Sequence, residues 1–350
     1  SSDLRREFGH LTHAFVVCCA AFVARQSGEE NDLQDVKYVK PKSLQEAVRI
    51  LQENGPTARV LAGGTDIIVM ARERRRDTSL FVDIKAIPEM MGISFDPQAG
   101  LTVGAARPLY QLYRDEMMRR VYPALVDSAS LIGGTAVQGR ASLGGNLCNS
   151  GPAGDSIPSI IAMEGVANII GPNGERQVKA EEFCTGPGRN VLQQGEIVVS
   201  LHFPAPRANS SARFLRFIPR NEMDIAVVNC ATNLTLEGNT VTHARIAIGA
   251  VAATPLFVPA AGAALEGKPL TDDTIAAAAN AARDAATPID DMRGSVRQRK
   301  HLAYVLTERT IRDAVHRIRG EATEYQDRKS TPSELQSLAY LVCRLLLEKK

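Results

Sequence analysis

Two short stretches decide how this chain is read: Ala58-Arg59-Val60-Leu61-Ala62-Gly63-Gly64-Thr65-Asp66, and the longer ASLGGNLCNSGPAGDSIP at residues 141–158. In the first, the apolar run 58–62 reads as a buried strand, and Gly63-Gly64 stops it. A basic-ended helix is expected over 66–75. Glycines between a strand and a helix let the backbone take positive φ and let a ligand come close to the amides. The free N–H groups and positive dipole end of the following helix would then face that ligand. Such a loop suits a pyrophosphate, with Thr65 adding a hydroxyl and Asp66 standing as N-cap. It is equally a tight turn that binds nothing. In the second stretch, short polar side chains and glycines form a long irregular segment between apolar flanks, and long segments of that kind are usually functional or disordered. Its apolar flanks favour function, the wrapping of a phosphate and a ribose. Asp155 reads either as an acceptor for ligand hydroxyls or as an N-cap before Pro158. Cys148 reads as a small buried residue.

Outward from these loops, strands and helices mix without the regular alternation of a doubly wound sheet, which points to an α+β fold. Ser43, with Glu46 three residues on, forms a capping box for a helix over 44–53. Strands are expected at 81–84, 101–103 and 166–170, and helices at 109–119, 122–130 and 156–164. The stretch PAPRANSS at 204–211 marks a break. Beyond it come strands at 214–218, 226–236 and 240–248, the last two joined by a Gly238-Asn239 turn. Helices at 273–286, 296–319 and 330–350 follow. The expected division is an N-terminal extension (1–35), a first domain (36–206), a second domain (207–317) and a C-terminal helical extension (318–350).

The bulk properties exclude several classes. The chain has 350 residues, 41 basic and 39 acidic, for a net charge of +2, and no tryptophan. A nucleic-acid or membrane-surface binder is not indicated. The apolar run Ala14–Ala24 is too short to span a bilayer. A secretory leader would follow Arg5 and Arg6, but the cleavage site is poor, and a packed helix is the preferred reading. Six cysteines without a C-x-x-C pair fit reduced thiols in a cytoplasmic protein. G-x-G-x-x-G, G-x-x-x-x-G-K-[ST], H-E-x-x-H and G-x-S-x-G patterns are all missing, and the histidines are scattered. With no evident nucleophile, metal centre or acid–base pair, any enzyme chemistry would belong to a bound cofactor.

The two stretches resemble the flavin-binding signatures of the medium subunits of molybdenum hydroxylases, the carbon monoxide dehydrogenase and xanthine dehydrogenase type. FVDIKAIPEM (81–90), FCTGPGRNVL (183–192), PRNEMDIAVV (219–228) and DDMRGSVRQRKHLAYVL (290–306) match in order, so the resemblance covers roughly 36–317. It implies a two-subdomain FAD-binding domain followed by a smaller C-terminal α/β domain, with non-covalent FAD. It carries FAD contacts onto Leu61, Ala62, Gly63, Gly64, Thr65, Asp66, Ser142, Leu143, Gly144, Gly145 and Asn146. Asp155 would meet the adenosine ribose or nearby backbone. Arg189 would lie near the flavin, with a surface salt bridge as the competing reading. Ala136–Arg140 departs from a more common Gln-Ile-Arg-Asn pattern, so no contact is assigned to that turn. The implied partners are a large molybdenum–pterin subunit and a small subunit with two [2Fe–2S] clusters. The implied electron acceptor is NAD, a quinone, oxygen or a ferredoxin. No four-cysteine set occurs for a cluster on this chain. The competing reading is a self-contained FAD oxidase of the vanillyl-alcohol oxidase type, with its flavin attached to a His or Cys.

Overall fold

A computed structural model describes residues 36–220 and 223–322, so the readings of 1–35 and of the helix at 330–350 lie outside the described residues. Strands β1 (Lys37–Val39), β2 (Ala58–Leu61) and β3 (Leu80–Asp83) form a parallel sheet in the order β1–β3–β2. The helix Leu44–Asn54 crosses between β1 and β2 and buries Ala47, Val48 and Leu51. Ser43 Oγ accepts from the Glu46 amide at 3.2 Å. The Glu46 carboxylate accepts from the Lys42 amide, one residue before the position a capping box requires.

A second, antiparallel sheet contains β4 (Ile93–Asp96), β5 (Gly100–Gly104), β6 (Val166–Gly171) and β7 (Gly174–Lys179). After the short hairpin β8 (Cys184–Gly186) and β9 (Arg189–Asn190), strand β10 (Ile197–Phe203) enters its middle, giving the order β4–β5–β10–β6–β7. Between β5 and β6 the chain is helical, though not as expected. The helix anticipated over 109–119 is two helices, Leu109–Tyr113 and Glu116–Val121. Asp115 leaves helical geometry (ψ 125°) and its carboxylate restarts the helix by accepting from the Met118 amide at 3.0 Å.

The third sheet is antiparallel: β11 (Ser210–Phe217), β12 (Val228–Glu237), β13 (Thr240–Gly249) and β14 (Leu256–Phe257). Strand β12 is buried from Val228 to Leu236, and its two faces serve two cores. Val228, Cys230, Leu234 and Leu236 join the C-terminal core with the helices Asp272–Ala285 and Val296–Ile318. Ala231 joins the N-terminal core. Asn229 and Asn233 on that same face donate to the Asp155 carboxylate (3.2 Å) and the Ala162 carbonyl (3.3 Å). The alternation is the period-two consequence of a pleated strand. Among the described residues no helix is long and apolar enough to cross a membrane.

Two polar clusters lock the seam. Asp127, on the helix Pro123–Leu131, accepts from both terminal nitrogens of Arg317 at 2.8 Å, from Arg213 Nη1 at 3.2 Å and from the Phe214 amide at 3.1 Å. At the other edge Glu164 meets His243 Nε2 at 2.9 Å and Arg207 Nη1 at 2.7 Å. The hydrogen bond from His243, helped by Arg207, holds the Glu164 carboxyl down at about 2.

Asp127→Ala removes the carboxylate that Arg317 shares with Arg213, which keeps its pairing with Asp313 at 3.0 Å, and chemical denaturation is expected to show a loss of about 3 kcal/mol. Glu164 has a folded pKa below its ordinary 4.5, so its contribution is present above that pH and disappears as pH falls toward 2. Glu164→Gln is therefore expected to lower the denaturation midpoint at pH 7. The difference from the parent chain should shrink steadily between about pH 4.5 and pH 2 in the same assay.

Candidate functional site

The two quoted stretches meet. Gly63 lies against the turn that precedes Ser142: a Cβ on Gly63 would sit 2.5 Å from the Arg140 carbonyl oxygen and 2.9 Å from the Ala141 Cα. No residue but glycine fits that contact without moving one of the two loops. Arg140 Nε also donates to the Gly63 carbonyl at 3.3 Å, so the turn left without a role in the sequence reading is what joins the loops. Lys85 Nζ donates to the Ala62 carbonyl and pairs with Asp83 at 3.4 Å; Asp83 in turn accepts from Tyr38 Oη at 2.6 Å. These contacts occupy the carbonyls of the first loop. The amides of Gly64, Thr65 and Asp66 donate no hydrogen bond among the described residues. Gly64 has φ 79°, the left-handed conformation that a side chain resists. The helix after the loop is only Ile67–Arg72, shorter than expected. Asp66 occupies its N-cap position, yet its side chain makes no capping bond and accepts instead from Thr65 Oγ1 at 3.4 Å.

The second stretch is not irregular, as the glycine content suggested. Ser142 caps a helix over Leu143–Asn149, its Oγ accepting from the Gly145 amide at 3.1 Å. Tertiary packing overrides the low helix propensity of Gly144-Gly145. A Cβ on Gly144 would meet the Ala105 Cβ at 2.5 Å and its carbonyl at 2.6 Å, so the helix lies directly on the end of β5. An antiparallel bridge ties Ser142 to Pro108, with the Leu109 amide donating to the Ala141 carbonyl at 2.9 Å, and the Gly144 amide donates no hydrogen bond among the described residues. Asn146 Oδ1 accepts from Ser156 Oγ (2.7 Å) and its amide (3.3 Å), fixing this helix to the helix Ser156–Ala162. Ser150, at φ 49°, ends it.

Two spaces open from these loops. A cavity of about 240 Å³ lies between the first two sheets and is walled by Val60, Met70, Ala105, Ala141 and Val198, with Arg59 and Arg76. A wider cleft of about 860 Å³ faces the third sheet, with Pro152, Asp155, Met223, Ala250 and Ile289 among its walls. Asp66, Ile132, Asn146 and Asn149 line both, so the two spaces join at the glycine loops.

Of the expected site residues, Ala62, Gly63, Gly64, Thr65, Asp66, Ser142, Gly144, Gly145 and Asn146 line the narrow cavity. Leu61 and Leu143 are buried, 5% and 1% exposed, and are not part of its wall. Asp155 lines the wide cleft, with Arg216 Nη1 at 2.6 Å and Asn229 Nδ2 at 3.2 Å from its carboxylate; it makes no capping bond. Arg189 is exposed on β9 and lines neither space. The cations that do reach the narrow cavity are Arg59 and Arg76. Burial, followed by repulsion from Arg76, pulls the Arg59 guanidinium below its ordinary pKa. The sequence signal was a lone arginine in an apolar strand that runs straight into a glycine loop. Cys148 lines the cavity too, and burial pushes its thiol up to about 12.

A joined pair of spaces with unused amides at the junction fits a long dinucleotide whose pyrophosphate sits at the waist. Comparison with known proteins agrees. Residues 34–206 match the FAD binding domain in molybdopterin dehydrogenase, and residues 213–314 match the CO dehydrogenase flavoprotein C-terminal domain. The xanthine dehydrogenase FAD-binding subunit of Escherichia coli O157:H7 is 31% identical over 272 residues, 77% of this chain and 93% of that subunit. The carbon monoxide dehydrogenase medium chain of Hydrogenophaga pseudoflava is 32% identical over 267 residues, 76% of this chain and 92% of its own length. In structure, carbon monoxide dehydrogenase from Hydrogenophaga pseudoflava superposes with a TM-score of 0.78 at 32% identity, covering 81% of this chain and 98% of that one. Quinoline 2-oxidoreductase from Pseudomonas putida 86 gives 0.75 at 29% identity, with the same coverage. Glycine loops, three-sheet order and domain matches converge on one conclusion: this chain belongs to the family of FAD-binding flavoprotein subunits of the molybdopterin dehydrogenases.

Proposed function

We propose that this chain is the electron-transferring flavoprotein of a molybdenum hydroxylase complex. In this reading it takes electrons from [2Fe–2S] clusters of a small partner subunit, while substrate is oxidised at the molybdenum–pterin centre of a large one. The electrons leave to an external acceptor, which the residues of the site do not single out among NAD, a quinone, oxygen or a ferredoxin. A cytoplasmic location belongs to the same reading, as does a division into an FAD-binding domain over 36–206 and a C-terminal domain over 207–317. The observation that carries it is the waist between the two spaces, where the unpartnered amides of Gly64, Thr65 and Asp66 meet that of Gly144 from the second loop.

FAD, when bound, supplies the redox chemistry that links one-electron donors to two-electron acceptors. The residues of this chain bind, orient and shield it. The amides of Gly64, Thr65, Asp66 and Gly144 would take the pyrophosphate. The narrow cavity, mostly apolar and too small for a tricyclic ring system with its tail, suits the adenine end. Arg59 and Arg76 would add positive charge beside it. The wide cleft, open toward the third sheet, suits the isoalloxazine, with Asp155, Arg216 and Asn229 as a buried polar floor.

Met223, Ile225 and Ile289 line this cleft, 64%, 51% and 73% exposed, and Met292, 93% exposed, lies between its lining residues Asp291 and Arg293 in the chain. Large apolar side chains clustered on a surface mark interaction sites. A partner subunit seated there would cover them and close the cleft to water. The self-contained oxidase reading gains nothing from Cys148, since a thiol held neutral is a poor nucleophile for attachment to a flavin.

The purified chain is expected to show a flavin absorption spectrum whose chromophore moves to the supernatant on acid precipitation. Gly144→Val, which drives the helix off β5, should leave it nearly colourless. A protein that is colourless and takes up no added FAD defeats the assignment. Met292→Asp is expected to keep the flavin spectrum but to lose co-purification of the other subunits from the native complex. Undiminished co-purification would move the docking face elsewhere.

A further inference from the structure

Arg299 stands on the helix Val296–Ile318, 5% exposed, in the wall of the wide cleft. Its guanidinium reaches three separate segments. Nη1 donates to the Val227 carbonyl at 2.8 Å and to the Ala250 carbonyl at 2.7 Å. Nη2 donates to both carboxylate oxygens of Asp291, each at 2.7 Å. Ala226, Ala250 and Asp291 all line the cleft, so these three segments are its C-terminal side. The Asp291 carboxylate also accepts from the amides of Arg293 (2.8 Å) and Gly294 (3.1 Å), closing the turn that carries Met292. The bond from Arg299 is the main reason its carboxyl sits below the ordinary range.

Ala250 shows what the clamp is holding. It has φ 62°, a left-handed conformation that an alanine side chain disfavours. It is fastened on both sides: its carbonyl accepts from Arg299, and its amide donates to the Pro152 carbonyl at 2.7 Å. Pro152 belongs to the glycine-rich segment that leads into Asp155, on the opposite wall. Arg299, Ala250 and Pro152 therefore form a continuous strut across the back of the cleft, and none of them touches the narrow cavity.

We propose that Arg299 is a positioning residue for the flavin end of the cofactor, setting the gap between the Ala250 turn and the 151–155 segment while leaving the adenine end untouched. The inference rests on the placement of the isoalloxazine in the wide cleft. Only a planar fork can serve Asp291 with one nitrogen and two carbonyls with the other; a lysine keeps the charge and loses that geometry.

The test is titration of the full-length apo chain with FAD and, separately, with ADP, in the parent, Arg299→Lys and Asp291→Asn. Arg299→Lys is expected to weaken FAD about tenfold, the scale on which outer partners of a binding site act. Its ADP affinity should stay within about twofold. Asp291→Asn, which keeps the Arg299 bonds to Val227 and Ala250, should shift FAD in the same direction by less and leave ADP unchanged. It answers the question even if the lysine variant misfolds. The visible band and fluorescence of the FAD that remains bound should change in Arg299→Lys, because the ring environment is altered. Equal losses of FAD and ADP affinity would mean general damage and overturn the proposal, as would unchanged FAD binding in both variants. A parent chain that binds ADP but gains nothing from the rest of FAD overturns the placement of the ring, and the role of Arg299 with it. One that binds neither overturns the cofactor assignment itself.

Discussion

Strand β12 has no solvent face between Val228 and Leu236, and that constraint organises the molecule. A strand buried on both sides must satisfy every polar side chain from packed neighbours. On the C-terminal side the Thr232 hydroxyl pairs with Thr310 at 2.7 Å, and Cys230 lies 3.4 Å from the same oxygen. On the other side Asn229 and Asn233 are met by Asp155 and the Ala162 carbonyl, both from the N-terminal sheets. The third sheet therefore has one seat. With it seated, the segments after β11 and β13 are brought over the glycine loops, and the cleft acquires its second wall.

The waist between the two spaces follows from a different rule, the close approach of backbones. Gly63 against Arg140 and Gly144 against Ala105 leave no room for a Cβ, so each loop is held by main-chain contact with a neighbouring element. Carbonyls are consumed in those contacts, by Lys85 and Arg140 in the first loop. What remains pointing at the space is donors. An anion is the partner such a surface lacks, and the helices behind it, six and seven residues long, contribute amides more than dipole.

Much of this was legible in the chain. The strand–glycine–helix pattern at 58–72 and the Gly238-Asn239 hairpin were local, and local signals survive folding. The long helix Val296–Ile318 begins at the expected residue because Ser295 accepts from the Gln298 amide at 3.2 Å. The failures were tertiary. The segment after Ser142 reads as loop because glycine is a poor helix former, and only the Ser142 cap and packing on Ala105 make it a helix. The break at 114–115 was hidden because Asp115 looks like one more polar residue on a helix surface until its capping bond is seen. Arg59 was missed as a cavity residue because it stands in the strand ahead of LAGGTD, Arg76 because it lies in no quoted motif, and Arg189 was favoured because it lies in FCTGPGRNVL. Position in a motif says which segment is near a site, not which side chain faces it.

The thiol of Cys148 shows what burial does to reactivity at such a place. It borders the narrow cavity beside the glycine loops, and burial pushes its thiol up to about 12. At neutral pH the thiol therefore keeps its proton, and it is the thiolate that peroxides and alkylating agents attack. The wall of the cavity thus carries sulfur in its least corrodible form. A chain whose work exposes it to stray oxidants would keep this cysteine as hydrocarbon-like filler.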